Sequence, residues 1–215
     1  MKSIPLSLTA LALALLAAGA ANASVTPDSY DMLNGNTGSY TYWDETYSGV
    51  GCVTCSNAPL TGGKGDLTDG IIASDNWFVT EAPPGNGPYV GWLLNPTIVF
   101  HFAATTAVSA VTFYFDDSNG AGGVSAPGSV VVDGTTFVVA EPAGSAPFAF
   151  TASGLSFNGN DLSVTINRKN PWVFLSEVQF AGAGSGAVPE PGSVGLLLAG
   201  LVGMGVAATR RRKPA

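Results

Sequence analysis

The stretch FYFDDSNGAGGVSAPGS, from Phe113 to Ser129, places two carboxylates and an amide at the start of a Gly-rich loop. Asp116 and Asp117 can accept hydrogen bonds from hydroxyl groups, and Asn119 can both donate and accept. Further on, NRKNPW gathers Arg168, Lys169, Asn170 and Trp172 on what reads as the opposite flank. An indole face beside polar donors suits the apolar face of a sugar ring. This is the chemistry of carbohydrate recognition; the bland alternative is a loop that turns a corner and a tryptophan that plugs a core. Cleavage is disfavoured, because neighbouring Asp116 and Asp117 on extended backbone point to opposite sides and cannot flank one glycosidic bond. No G-x-S-x-G elbow occurs. His101, in TIVFHFAA, falls with Val99 on the face opposite Phe100 and Phe102, as a structural histidine would. The chain is therefore read as a non-enzyme, with extracellular polysaccharide hydrolysis as the weakest alternative.

Cys52 and Cys55, in GVGCVTCSNA, are the sole cysteines. A zinc site would lack ligands, and a redox pair would need a βαβ setting that the pattern does not offer. Their role depends on the compartment, which the chain ends address. Lys2, the apolar run Leu6–Ala21 and the small-x-small Ala21-Asn22-Ala23 make residues 1–23 a signal peptide. Export to an oxidising compartment predicts a local Cys52–Cys55 disulfide. At the far end, Pro189-Glu190-Pro191 precedes the uncharged Val194–Ala208, and Arg210, Arg211, Arg212 and Lys213 follow. As a helix, that run would measure about 22 Å against a hydrocarbon core of about 30 Å. Extended to 192–209 it becomes a marginal transmembrane segment whose basic end stays cytoplasmic. Motif, span and basic cluster, in that order over the last 28 residues, closely resemble the PEP-CTERM sorting signal. The resemblance implies a Gram-negative bacterium that makes exopolysaccharide and an exosortase-type enzyme that processes the tail. It also implies transient anchoring in the inner membrane before release to the cell surface or extracellular matrix.

Between the two addresses lies a length suited to one domain, 24–181, with a flexible linker at 182–187. From Ser24 to Val188 there are fourteen acidic residues against Lys64, Arg168 and Lys169, a net charge of −11 with His101 neutral. Such a surface excludes nucleic acid as a partner, since phosphate binding needs clustered Lys and Arg. Short β-branched and aromatic runs separated by Gly, Pro, Asn and Asp predict strands at Ser39–Asp44, Thr97–Phe102, Ala107–Phe115, Gly128–Val132, Thr135–Ala140, Pro147–Ala152, Asp161–Asn167 and Trp172–Phe180. Asp133-Gly134 and Asn158-Gly159 are expected to turn hairpins. The fold class that follows is all-β, an antiparallel β-sandwich or jelly roll.

Two stretches resemble the discoidin, or galactose-binding-like, domains. One is GDLTDGIIASDNWF, holding Leu67-Thr68-Asp69-Gly70 ahead of Trp77; the other is PWVFLSEVQFAG, holding Leu175-Ser176-Glu177-Val178. The resemblance implies a jelly roll with adjacent termini and a structural calcium ion (Ca2+). Asp69 and Glu177 would be its side-chain ligands, with carbonyls near Asp66, Ile71 and Ser176 helping. The residue types suit the ion, since calcium takes about six to eight hard oxygens and Gly70 allows a tight loop. The expected function is an exported surface or matrix protein that binds carbohydrate or exopolysaccharide. A structural matrix or biofilm component without a specific ligand is the alternative.

Overall fold

The computed structural model describes residues 23–82 and 87–183, and residues 22–183 make one compact unit. Nine strands are formed: β1 (Ser24–Val25), β2 (Ser29–Leu33), β3 (Pro59–Gly63), β4 (Val90–Trp92), β5 (Thr97–Phe115), β6 (Ser129–Val132), β7 (Thr135–Val138), β8 (Phe148–Asn167) and β9 (Val173–Gly182). One helical turn, α1 (Trp77–Thr80), interrupts them. Every pairing between these strands is antiparallel, in a sandwich-like arrangement.

β5 and β8 organise everything else. The first part of β5 pairs with β2 and with the last part of β8, which in turn carries β6 and the edge strand β7. The second part of β5 pairs with the first part of β8 and with β9, whose far side holds β1 and β4. The two halves thus share two strands and one core. Tyr30, Leu60, Ile98, Phe100, Leu162 and Val164 from one half join Trp92, Val111, Phe113, Phe115, Leu175 and Phe180 from the other. His101 ties β2, β5 and β8 together, with Nδ1 2.7 Å from Asp161 and Nε2 3.4 Å from Asp31. Those carboxylates hold its pKa above the usual histidine value, Asp161 most strongly.

The all-β antiparallel class is as expected, but several local expectations are corrected. Thr97–Phe102 and Ala107–Phe115 are one strand, as are Pro147–Ala152 and Asp161–Asn167. Asn158-Gly159 makes no turn: Asn158 pairs with Ala107 and Gly159 with Thr106. A continuous ladder to β5 outweighs the turn preference of the dipeptide. The ladder has two irregularities instead, one at Gly154 (φ +77°) and one between Gly159 and Asp161, and the inward-facing positions change parity at each. Asp133 (φ 46°) and Gly134 (φ 79°) do turn the β6–β7 hairpin, both left-handed as a type I′ turn requires. Ser39–Asp44 holds only the isolated bridge Thr37–Thr41. Its Tyr42 and Asp44 are instead drawn inward, where Asn34 Oδ1 accepts the Asp44 N–H.

Candidate functional site

β9 lies between β5 and the outer strands, so Val173 to Val178 are buried whichever face they address. The loop after β3 closes over its outer side. The Val178 N–H donates to the Leu67 carbonyl at 2.9 Å, and the fully buried Leu67 pins that loop down. Gly70 (φ +84°) then turns so that its N–H donates to Glu177 Oε2 at 3.1 Å, while the Ile71 N–H donates to Asp69 Oδ1 at 2.7 Å. The Ser176 hydroxyl accepts from Ala73 N at 3.2 Å and donates to the Tyr114 carbonyl. Asp69 and Glu177, 108 positions apart in the chain, line one pocket of about 330 Å³ with Thr68 and Gln179.

This pocket collects hard oxygens. Burial raises the Glu177 carboxyl to about 7, with Gly70 opposing and Asp69 adding to the rise. Thr68 Oγ1 is buried beside it with no hydrogen-bond partner among the described residues. A second pocket of about 280 Å³ adjoins, lined by Asp66, Asp69, Glu45, Thr46 and Ile71, so Asp69 serves both. Asp66 is buried and raised to about 7, by burial first and by Asp44 second. Two carboxylates and an orphaned hydroxyl around one hollow suit a calcium ion in donor type. Among the described residues no group of three or more His, Cys, Asp and Glu side chains is placed to hold a metal. The side-chain supply at the first pocket is therefore Asp69 and Glu177, with Asp66 in the adjoining one. Ile71 contributes backbone only, its side chain being exposed, and the Ser176 hydroxyl is already engaged.

Sequence reasoning missed two more buried carboxyls. Asp44 accepts from Tyr30 OH and from the Asp66 N–H, and its carboxyl is raised to about 6 by burial. Gly65 makes this possible, since a Cβ there would stand 2.1 Å from Asp44 Oδ1. Glu81 is raised to about 7 by burial and accepts the Tyr89 N–H at 3.0 Å. Neither stands in a motif, and the closeness of Gly65 to Asp44 and of Gly87 to Glu81 is a property of the fold.

The expected carbohydrate face is partly rearranged. Asp116 and Asp117 are fully buried, which corrects their assignment to a ligand-accessible rim. Asp116 instead receives Asn76 Nδ2 at 2.9 Å, the Ser118 hydroxyl at 2.7 Å and the Trp77 N–H, fastening α1 to the end of β5. Asp117 Oδ1 caps the Asn119 N–H. Asn119 remains exposed, in the left-handed region (φ 49°). Arg168 is occupied by Asn95 and the Pro171 carbonyl.

Trp172, in contrast, is half-exposed at the edge of an aromatic group. Its ring lies 5.2 Å from Tyr42 and 5.6 Å from Phe174, and Tyr42 lies 5.9 Å from Trp77. Tyr40 stands 6.1 Å from Trp77 and is half-exposed too. The Gly-rich loop, expected on the opposite flank, packs here: Trp172 N–H donates to the Gly123 carbonyl at 3.0 Å. Gly122 (φ +64°) comes so close that a Cβ would meet the Trp77 ring at 2.5 Å. Trp172 and Tyr40 are thus half-exposed members of one aromatic group, and the Gly-rich loop beside it brings Gly120 near Asn170.

Cys52 and Cys55 are joined in a disulfide on the loop before β3, and Asn34 Nδ2 donates to the carbonyls of Cys52 and Val53. The C-terminal sequence, with its order of Pro-Glu-Pro, apolar run and basic cluster, matches a known family model over 187–213. Residues 187–213 are a PEP-CTERM protein-sorting motif. Pro189, Glu190 and Pro191 fall inside it. The PEP-CTERM tail with its candidate span 192–209, residues 184–187 of the linker expected at 182–187 and residues 1–22 of the signal peptide expected at 1–23 lie outside the described residues. Gly182 belongs to β9 rather than to a linker. Among the described residues, no helix is long and apolar enough to cross a membrane. No curated protein matches the chain. Among solved structures it is similar to the family 32 carbohydrate-binding module from C. perfringens NanJ in complex with galactose. That likeness has 12% identity and a TM-score of 0.33, over 54% of this chain and 81% of that one. At that level the ligand question rests on the residues of this chain alone.

Proposed function

We propose that this chain is an exported surface or matrix protein whose β-sandwich binds neutral carbohydrate, with extracellular polysaccharide as the ligand class. The observation that carries the reading is the half-exposed Trp172, packed against Tyr42 and bonded to the Gly-rich loop at Gly123, with Asn170 by Gly120 on the same loop. An aromatic face takes the apolar side of a pyranose, and an amide supplies donors and acceptors for its hydroxyls. The acidic domain, at net −11 from Ser24 to Val188, favours neutral over anionic polymers. The PEP-CTERM motif supports the route: an exosortase-type enzyme processes the tail after transient anchoring in the inner membrane, and the domain is left at the surface or in the matrix. A calcium ion held by Asp69 and Glu177 would clip the loop after β3 to β9. That loop runs directly into α1 and Trp77, so the clip would steady the aromatic surface.

The test is affinity electrophoresis of the protein through gels containing neutral or anionic polysaccharide. Retardation by a neutral polymer, abolished in Trp172→Ala and kept in Val138→Ala on the far hairpin, is the expected result. Equal migration of wild type and Trp172→Ala in every gel would refute it.

A further inference from the structure

Sheet edges carry unpaired N–H and C=O groups, and proteins ordinarily cover or charge them. Three of the edges here are managed. The outer side of β3 is bonded to Val50, whose N–H and carbonyl both meet Thr61 at 2.9 Å. The outer side of β9 is taken by β1, β4 and the Leu67 carbonyl, and β1 beyond it is only two residues long. β7 has four residues and lies between Asp133 and Glu141.

The fourth edge is different. Phe148–Ser153 of β8 pairs with β5 on one side in unbroken register, Phe148 opposite Phe115 through Ser153 opposite Ala110. Its other side meets no backbone or side-chain partner among the described residues. From Pro142 to Asn160 the chain has no charged residue, and Phe148 to Ser153 contains no proline. Phe148 and Phe150 are half-buried while Ala149, Thr151 and Ser153 are exposed, so the strand offers a narrow, even ridge. A six-residue, uncharged, aromatic-rich segment without proline is the kind that adds another strand.

We propose that Phe148–Ser153 pairs antiparallel with the same segment of a second copy of this chain, joining two sheets across a two-fold axis. An antiparallel strand is complementary to its own copy, because each outward N–H finds a carbonyl when the segment is turned through 180°. Charge selects this place over others. Two domains of net −11 repel over most of their surfaces, and the uncharged strip is where they approach with least cost. Added salt, which screens the remaining acids, should therefore strengthen the contact. The bulge at Gly154 ends the straight stretch, so the pairing is short and closed rather than open-ended.

The experiment is sedimentation equilibrium of the full-length chain in density-matched detergent, at low and high salt. The wild type is expected to show a monomer–dimer equilibrium that strengthens with salt. Ala149→Lys with Ser153→Lys, both on exposed positions, should weaken it by at least about tenfold, and so should the matching pair of glutamates. An equimolar mixture of the lysine and glutamate variants should recover the dimer, which misfolded variants could not do. A monomeric wild type, a dimer that survives both double variants, or a mixture that fails to recover would each overturn the proposal. A wild-type monomer that instead takes up a strand from another protein at this edge would also overturn it.

Discussion

Glu81, at the end of α1, is about 1% exposed, and replacing it with glutamine changes how stability responds to pH. Burial raises its carboxyl from the ordinary 4.5 to about 7, against the pull of the Tyr89 and Gly87 N–H groups. The folded chain thus retains a proton that the unfolded chain surrenders above about 4.5. Stability from the neutral form is fully present below 4.5 and is lost as pH rises through about 7. That interval, at about 1.36 kcal/mol per pH unit, amounts to about 3 kcal/mol. For a domain of this size it corresponds to a fall in melting temperature of roughly 6–12 °C between pH 4.5 and 8. Glu81→Gln retains an oxygen for the Tyr89 N–H and has nothing to titrate, so its melting temperature should fall by that much less. Part of the slope should persist in the variant, because Asp44 is raised to about 6 and Asp66 to about 7. Calorimetry of both proteins in chelator across this range makes the comparison. Parallel curves, or a wild type that gains stability with rising pH, would refute the reasoning.

Calcium at about a hundredfold excess over its Kd should add about 2.7 kcal/mol to the native state. Asp69→Asn and Glu177→Gln should each remove that gain, and identical wild-type melting curves with calcium and chelator would dismiss the ion. Gly122→Ala places a methyl 2.5 Å from the Trp77 ring at φ +64°, whereas Gly134→Ala meets nothing within 4 Å at φ +79°. Urea denaturation should show the first losing at least about 1–3 kcal/mol more than the second, the cost of a clash added to left-handed strain. Intact-mass measurement of the released protein should find Val194–Ala208 gone; a full-length species as the sole product would contradict processing.

The alternation of Leu162, Val164 and Ile166 and the Asp133-Gly134 turn made the strands around β8 and the β6–β7 hairpin legible, since both signals are local. The register of Gly159 against Thr106 was not local, and a turn-forming dipeptide there was misleading. β2 and β3 escaped notice because SYDML and PLTGG lack a β-branched run; long-range pairing with β5 and with each other makes them strands. In the site, Asp69 and Glu177 line one pocket although 108 positions separate them. Asp116 and Asp117 look like surface groups in sequence, since charge normally marks exposure. The burial of Asp116 is offset by Asn76, Ser118 and the Trp77 N–H, of which only Ser118 is a sequence neighbour, while Asp117 accepts the Asn119 N–H. Trp172 was legible as an aromatic near polar residues, but its contact with the Gly-rich loop was not.

The central position of β9 sets a timetable. Among the described residues it is the last strand, yet it sits between β5 and the pair β1 and β4, and β1 pairs with no other described strand. Emerging N-terminus first, whether from the ribosome or from a membrane channel, the domain lacks Val173, Leu175, Val178 and Phe180 until its final residues arrive. Nothing it can form beforehand closes the core, and contacts spanning this much chain assemble slowly. The topology therefore acts as a delay: the chain stays threadable for as long as it is being threaded, and it locks when the sorting tail is next in line.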